Sequence, residues 1–248
     1  MTTVISVTNQ KGGVGKTTTA INVSYYLAKS GKSTLLIDFD PQGNATSGLG
    51  IDKESLEGTM ADVITGKKLL ADVIIPTEHK NLSIAPSTPT LANVEVELAQ
   101  AQHRFSRLKY SIEKLATQYD FIIIDSAPSL SLLTVNGLIA ARYVLLPVQA
   151  EFYALEGLGQ LLETMKLIRK GLNPKLELLG VLVTMMDTRT SLSKQVYEEV
   201  KKYFPGKVFE TVIPRNVRIA EAPSHAVPVG DTTAGAKARV HIRASPKK

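Results

Sequence analysis

Residues 4–18 read Val4-Ile5-Ser6-Val7-Thr8-Asn9-Gln10-Lys11-Gly12-Gly13-Val14-Gly15-Lys16-Thr17-Thr18, and the fold turns on how this stretch is read. The apolar, β-branched run Val4–Thr8 leads into a glycine-rich turn. An amphipathic segment then opens near Thr17, giving the strand–loop–helix context in which a phosphate-binding loop works. Gly12, Gly13 and Gly15 let the backbone approach phosphate oxygens with its N–H groups turned inward, and the helix N-terminus adds the positive end of its dipole. Lys16 is placed to reach the β and γ phosphates of a nucleotide, and the Thr17 hydroxyl to bind Mg²⁺.

The same alternation continues along the chain. Val4–Thr8, Thr34–Asp38, Leu82–Ala85, Phe121–Asp125, Tyr143–Val148 and Leu178–Thr184 are short and continuously apolar, as strands buried on both faces are. Between them Thr17–Ser30, Val94–Gln118, Leu132–Ala141, Leu155–Lys170 and Leu192–Tyr203 have helical periodicity. This pattern predicts a single-domain α/β P-loop NTPase, a doubly wound, mostly parallel sheet flanked by helices. The domain is expected to span residues 1–230. Residues 231–248 form a small, polar, basic tail with almost no apolar periodicity.

Composition narrows the chemistry. The 248 residues are 44% hydrophobic, enough for a substantial core. No stretch approaches the roughly 20 apolar residues of a membrane span, and no basic-then-apolar leader opens the sequence, so a cytoplasmic location is expected. With no cysteine, disulfides, thiolate metal sites and iron–sulfur clusters are excluded within the chain. His79, His103, His225 and His241 lack ligand spacing. Residues 1–150 hold 13 Lys/Arg and 13 Asp/Glu, whereas residues 151–248 hold 16 and 10, so the net charge of +6 lies in the last two-fifths. A polyanionic partner, nucleic acid or an acidic membrane surface, fits that asymmetry, as does a solvated basic face.

Two strand ends carry carboxylates. Thr34–Asp38 runs into Asp38-Phe39-Asp40-Pro41-Gln42-Gly43-Asn44, and Phe121–Asp125 into Ser126-Ala127-Pro128. In a parallel sheet, ligands bind beyond the carboxyl ends of the strands, which would bring both segments beside Lys16.

The loop departs from G-x-x-x-x-G-K-[ST] by having Gln10 where a glycine is expected and a second lysine, Lys11, before the glycine pair. It resembles the deviant Walker A motif, K-G-G-x-G-K-[ST], of the ParA/MinD superfamily. Further stretches are similar to the Soj/ParA chromosome-partitioning ATPases: residues 40–50, Leu132-Leu133-Thr134-Val135-Asn136, Tyr153-Ala154-Leu155-Glu156-Gly157 and Ile213-Pro214-Arg215-Asn216-Val217-Arg218. The resemblance runs from about Thr3 to about Pro228.

That resemblance implies an ATP hydrolase with Mg²⁺ as cofactor. ATP would be held by Lys11, Gly12, Gly13, Val14, Gly15, Lys16, Thr17 and Thr18, with Pro214 and Asn216 lining the adenine pocket. Lys11 would cross a nucleotide-sandwich homodimer to the partner's ATP. Asp40 would orient or activate the attacking water, and Asp125 with Thr17 would hold the metal. Asp38 is read as a support of loop geometry. The implied partners are nonspecific DNA, contacted by Arg189 and Arg218, and a ParB-type centromere-binding protein that stimulates hydrolysis. Lys166, Arg169, Lys170, Lys194, Lys201 and Lys202 could extend the DNA surface, although for each an ordinary solvated helix face is the simpler reading.

A MinD-like membrane-associated ATPase is the rival. It needs a C-terminal amphipathic helix, and residues 234–243 offer only Val240 and Ile242 as bulky apolar groups. The sequence departs from the family pattern at Ser126-Ala127 and after Pro228, where the apolar face of the closing helix is missing. It is left open whether the tail is disordered, adds DNA affinity or leaves a sheet-covering position empty.

Overall fold

The computed structural model of the chain describes residues 2–115, 118–151, 157–221 and 228–229. The expected tail (231–248) and most of the 153–157 stretch lie outside the described residues, as does the side chain of Arg218.

Among the described residues seven strands form one sheet: β1 (Thr3–Val7), β2 (Thr34–Phe39), β3 (Ile75–Pro76), β4 (Leu82–Ala85), β5 (Phe121–Ser126), β6 (Tyr143–Gln149) and β7 (Glu177–Thr184), in the order β3-β4-β2-β5-β1-β6-β7. All pairs are parallel except β3 with β4. The helices are α1 (Lys16–Lys29), α2 (Asn44–Gly48), α3 (Met60–Thr65), α4 (Leu70–Val73), α5 (Thr90–Leu98), α6 (Arg107–Lys114), α7 (Leu132–Ala140), α8 (Leu158–Gly171), α9 (Ser191–Tyr203) and α10 (Val217–Glu221).

Central strands β2 and β5 are buried almost throughout, which is why they read as continuous apolar runs rather than alternating ones. One face of the sheet packs α1 through Ile21 and Tyr25 against Leu36, Ile84 and Ile123. The other packs α7, α8 and their neighbours against Leu35, Ile37, Ile122 and Ile124. Beyond β7 the edge is covered by residues 207–215, which run parallel to it. Val181 N–H donates to the Lys207 carbonyl (2.7 Å) and Ile213 N–H to the Val183 carbonyl (2.9 Å).

The predicted helix Val94–Gln118 is two helices, α5 and α6. Between them the chain turns through His103 in a left-handed conformation (φ 56°). The buried Asn136 amide donates to the Arg104 carbonyl (2.7 Å), and its oxygen accepts from Leu108 N–H (3.3 Å). These bonds replace those an unbroken helix would have made internally, and the polar run Gln100–Arg104 has no apolar face to hold such a helix on the core. Strand β3 and the short helices α2, α3, α4 and α10 were not expected from the sequence, being too short to display a period.

Candidate active site

Neighbouring strands β2, β5 and β1 end together. Asp38 is in register with Asp125, and Asp125 with Val7, so the loop after β1 and both carboxylates meet at one edge of the sheet. The loop needs glycine where it turns. Gly13 and Gly15 have φ of 73° and 88°, a region that side-chain-bearing residues enter only with strain. Helix α1 starts at Lys16, and no side chain caps it, leaving the N–H groups of its first turn for an anion.

Distant residues brace the loop. The Thr184 hydroxyl at the end of β7 donates to the Val14 carbonyl (2.9 Å). Asn9 donates to the Pro147 carbonyl (2.7 Å) and accepts from Lys11 N–H (3.0 Å). These contacts were not legible in the sequence; a polar residue directly after the first strand, Asn9, was the only signal. Lys16 is buried, and its Nζ donates to the Lys11 carbonyl (2.9 Å). The ammonium therefore rests on a main-chain acceptor that a phosphate oxygen can replace. Burial lowers the Lys16 pKa, and the Asp125 and Asp40 charges oppose that shift.

The three aspartates do different things. Asp38 is fully buried and accepts from Thr46 N–H (2.8 Å), the Thr46 hydroxyl (2.7 Å) and Asp40 N–H (3.3 Å). It ties the loop after β2 to α2, in keeping with the structural role expected of it. Thr46 Oγ1 in turn accepts from Ser87 N–H (3.0 Å). Asp40 accepts from Gln42 N–H (2.9 Å), and Gln42 offers its carbonyl to Lys53 Nζ (2.8 Å). Gly43 is required here: it sits at φ 61°, and a Cβ would fall 2.6 Å from the Ser87 carbonyl oxygen.

Asp125 is fully buried, and among the described residues neither of its carboxylate oxygens has a hydrogen-bond partner. Thr17 lies close enough to pull its pKa down somewhat, without a bond of good geometry. Burial and then the Asp38 charge push Asp125 well above the usual carboxylate range. Burial, with a smaller push from the Asp40 charge, takes Asp38 to about 6 against the lowering effect of its bonds from Thr46 and Asp40 N–H. Two buried oxygens without donors, beside a threonine hydroxyl, suit a hydrated cation. Among the described residues no group of three or more His, Asp or Glu side chains could hold a metal. That fits Mg²⁺, which is commonly held by one or two carboxylates and completed by phosphate and water.

These shifts set a sign for stability. Carboxylates whose folded pKa is raised bind more protons in the native state, so their contribution is full below about pH 4 and is lost as pH rises through about 6 and beyond. Asp125→Asn is therefore expected to stabilise the nucleotide-free protein at pH 7.5 by about 1–3 kcal/mol, or roughly 2–4 °C in Tm per kcal/mol. The gain should shrink at pH 5 and be accompanied by loss of Mg²⁺-dependent nucleotide affinity. Thermal unfolding of both proteins at the two pH values checks this; a variant less stable than wild type at pH 7.5 contradicts it.

Pro214 and Asn216 are exposed on the strand-like segment beside β7, with Arg215 N–H bonded to the Met186 carbonyl (3.1 Å). Arg215 also pairs with Glu151 (3.0 Å). Thr184, which touches the loop at Val14, belongs to the same end of β7, so the segment and the loop share one edge. Arg189 lies on the β7–α9 connection and is exposed. Its Nε and Nη2 fork onto Asp187 (2.9 and 2.8 Å), which holds that carboxylate down at about 2. Lys166 and Lys201 pair with Glu163 (3.5 Å) and Glu198 (3.4 Å) on their own helices, as solvated faces do. Two cavities, of about 520 and 250 Å³, lie elsewhere and include none of the loop residues.

The parallel sheet, the glycine loop opening α1, Lys16 and the strand-end Asp125 together define a P-loop nucleotide-binding protein. A family model described as an AAA domain matches residues 2–178. The sporulation initiation inhibitor protein Soj of Bacillus subtilis is 54% identical over 226 residues, covering 91% of this chain and 89% of that protein. The chromosome partitioning protein ParA of Myxococcus xanthus is 50% identical over 91% of this chain and 80% of its own length. Among solved structures, cobyrinic acid a,c-diamide synthase of Mycobacterium smegmatis with a bound ATP analogue and magnesium matches with a TM-score of 0.86 at 36% identity, over 95% of this chain and 90% of that one. The chain belongs to the Soj/ParA family.

Proposed function

We propose that the protein is a DNA-segregating ATPase that hydrolyses ATP with Mg²⁺ and uses the nucleotide to control its hold on DNA. The observation that carries the reading is the buried, unpartnered Asp125 set beside Lys16 and Thr17 at the mouth of the glycine loop. Backbone N–H groups of Gly12–Thr18 receive the phosphates, Lys16 leaves the Lys11 carbonyl for the β and γ oxygens, and Pro214 and Asn216 flank the base. Mg²⁺, held by Thr17 and Asp125, would neutralise charge on the transferring phosphoryl group. Asp40 orients the attacking water. Lys11 enters the site of a second copy, so a homodimer closes only around ATP.

Closure joins two basic surfaces and raises DNA affinity through multivalency. Arg189 and Arg218 contact phosphates, a mode with little sequence information and steep salt dependence. Hydrolysis, accelerated by a ParB-type partner, opens the dimer and releases DNA in a cytoplasmic, nucleoid-associated cycle. The names of the Soj and ParA relatives support chromosome partitioning as the setting.

Cosedimentation with DNA in ATP, ADP and no nucleotide tests the switch; equal binding in all three states sinks it. Arg189→Glu together with Arg218→Glu is expected to cut DNA affinity at least about tenfold at moderate salt while leaving ATP-dependent dimerisation intact. Unchanged affinity in the double variant places the DNA surface elsewhere. Liposomes carried through the same sedimentation test the MinD-like alternative, in which ATP drives membrane binding instead.

A further inference from the structure

A cavity of about 250 Å³ opens between the α3–α4 turn and α6. Lys68, Arg107 and Lys114 line it, and among the described residues no acidic one does. Arg107, Tyr110, Ser111 and Lys114 stand at i, i+3, i+4 and i+7 of α6, so they share one face of that helix. Opposite them α3 ends at Gly66, where the backbone is bare and a Cβ would sit 3.7 Å from Arg107 Nη1. Leu70 and Leu115, both buried, supply an apolar floor.

The charge in this cavity has no internal answer. Arg107 Nε is buried and has no hydrogen-bond partner among the described residues, a situation that costs about 1–3 kcal/mol when left uncorrected. Neither Arg107 nor Lys114 forms an ion pair among the described residues. Lys68 Nζ donates to the Glu57 carbonyl (2.7 Å), which orients the ammonium without neutralising it. The neighbouring acids are engaged elsewhere: Asp72 accepts from Leu69 N–H (3.0 Å) and Glu113 lies 3.9 Å from Lys109. A solvated basic face interleaves its cations with acids and extends them into water. Here Arg107 instead lines a recess floored by leucine.

We propose that this cavity binds a small organic oxyanion, a phosphate monoester or carboxylate carried on a compact apolar group. The oxyanion engages Arg107, with Lys68 and Lys114 at the rim. The apolar body rests on Leu70 and Leu115 beside the Tyr110 ring. The volume is below the roughly 300 Å³ at which pockets for drug-sized ligands begin, which limits the occupant to one oxyanion and about one ring. None of the residues belongs to the nucleotide cradle, so occupancy of the two sites is separable.

Calorimetric titration of phenyl phosphate, benzoate and inorganic phosphate into the protein saturated with Mg²⁺ and ADP tests the assignment. The expected result is saturable, one-to-one binding of phenyl phosphate or benzoate, at least about tenfold tighter than inorganic phosphate because of the apolar floor. Which of the two binds identifies the oxyanion. Arg107→Gln should weaken binding about tenfold or more and Lys114→Gln several-fold. Lys114 is an exposed helix-end residue, so its variant reports on the site even if Arg107→Gln disturbs α6. The proposal is overturned if neither organic anion saturates, if inorganic phosphate binds as tightly, or if both variants bind like wild type.

Discussion

Lys16→Ala is expected to weaken ATP binding by about 10²–10³-fold, to the limit of detection in a direct titration. The buried ammonium is the positive group that faces Asp125 and Asp40 in the cradle. A charge-assisted contact to phosphate contributes about 1.5–3 kcal/mol, and the low-dielectric setting raises that value. Alanine also leaves the two aspartates without the countercharge that opposes their repulsion of the triphosphate. Isothermal titration of ATP with Mg²⁺ measures the effect, and a Kd within threefold of wild type refutes the assignment of the cradle. Lys11→Ala separates the two lysines: ATP binding by the single chain should survive, while the ATP-dependent increase in mass by light scattering disappears.

Asp40→Ala should leave ATP affinity within a few-fold of wild type and slow hydrolysis by about 10²–10⁴-fold, the usual range for a positioned proton-transfer group. ATP then persists in the closed dimer, so DNA should cosediment long after wild type has released it. Asp40 also organises its own turn through Gln42 N–H. Asp40→Asn retains an oxygen for that bond and therefore isolates the charge from the geometry. Loss of hydrolysis in both variants with DNA retained supports the role given to the carboxylate. Wild-type turnover in Asp40→Asn transfers the role to the turn itself.

Much of the chemistry was legible in the sequence because it is contiguous. Seven consecutive residues, Gly12–Thr18, make up the proposed cradle, and a parallel sheet forces strand-end residues such as Asp40 and Asp125 toward the same edge. Continuous apolar runs located six strands, since a doubly covered sheet buries both faces of each strand. Where elements are short the pattern had no room to repeat, so α2, α3, α4, α10 and β3 went unseen. The break between α5 and α6 was missed for another reason: Asn136, about 30 residues away, supplies the bonds that make it tolerable.

The physical basis of the differences among like residues was beyond the sequence. Asp38 and Asp125 end adjacent strands in register, yet one is saturated by Thr46 and the backbone while the other accepts no hydrogen bond. That contrast supports reading Asp38 as structural and Asp125 as the proposed metal-holding acid. In the same way the family resemblance marked Arg189 as a DNA contact, and the folded chain shows its guanidinium forked onto Asp187.

By itself, then, the order of residues determined the class of fold, the phosphate loop and the acids that could serve it, because local geometry and strand burial follow from neighbouring residues. Tertiary structure alone decided which acid is left unpaired, where Lys16 waits, how Thr184 braces a loop 170 residues earlier, and that α6 faces a basic recess. Each of these depends on hydrogen bonds or burial between segments far apart in the chain, and those are set only when the sheet and helices close around one core.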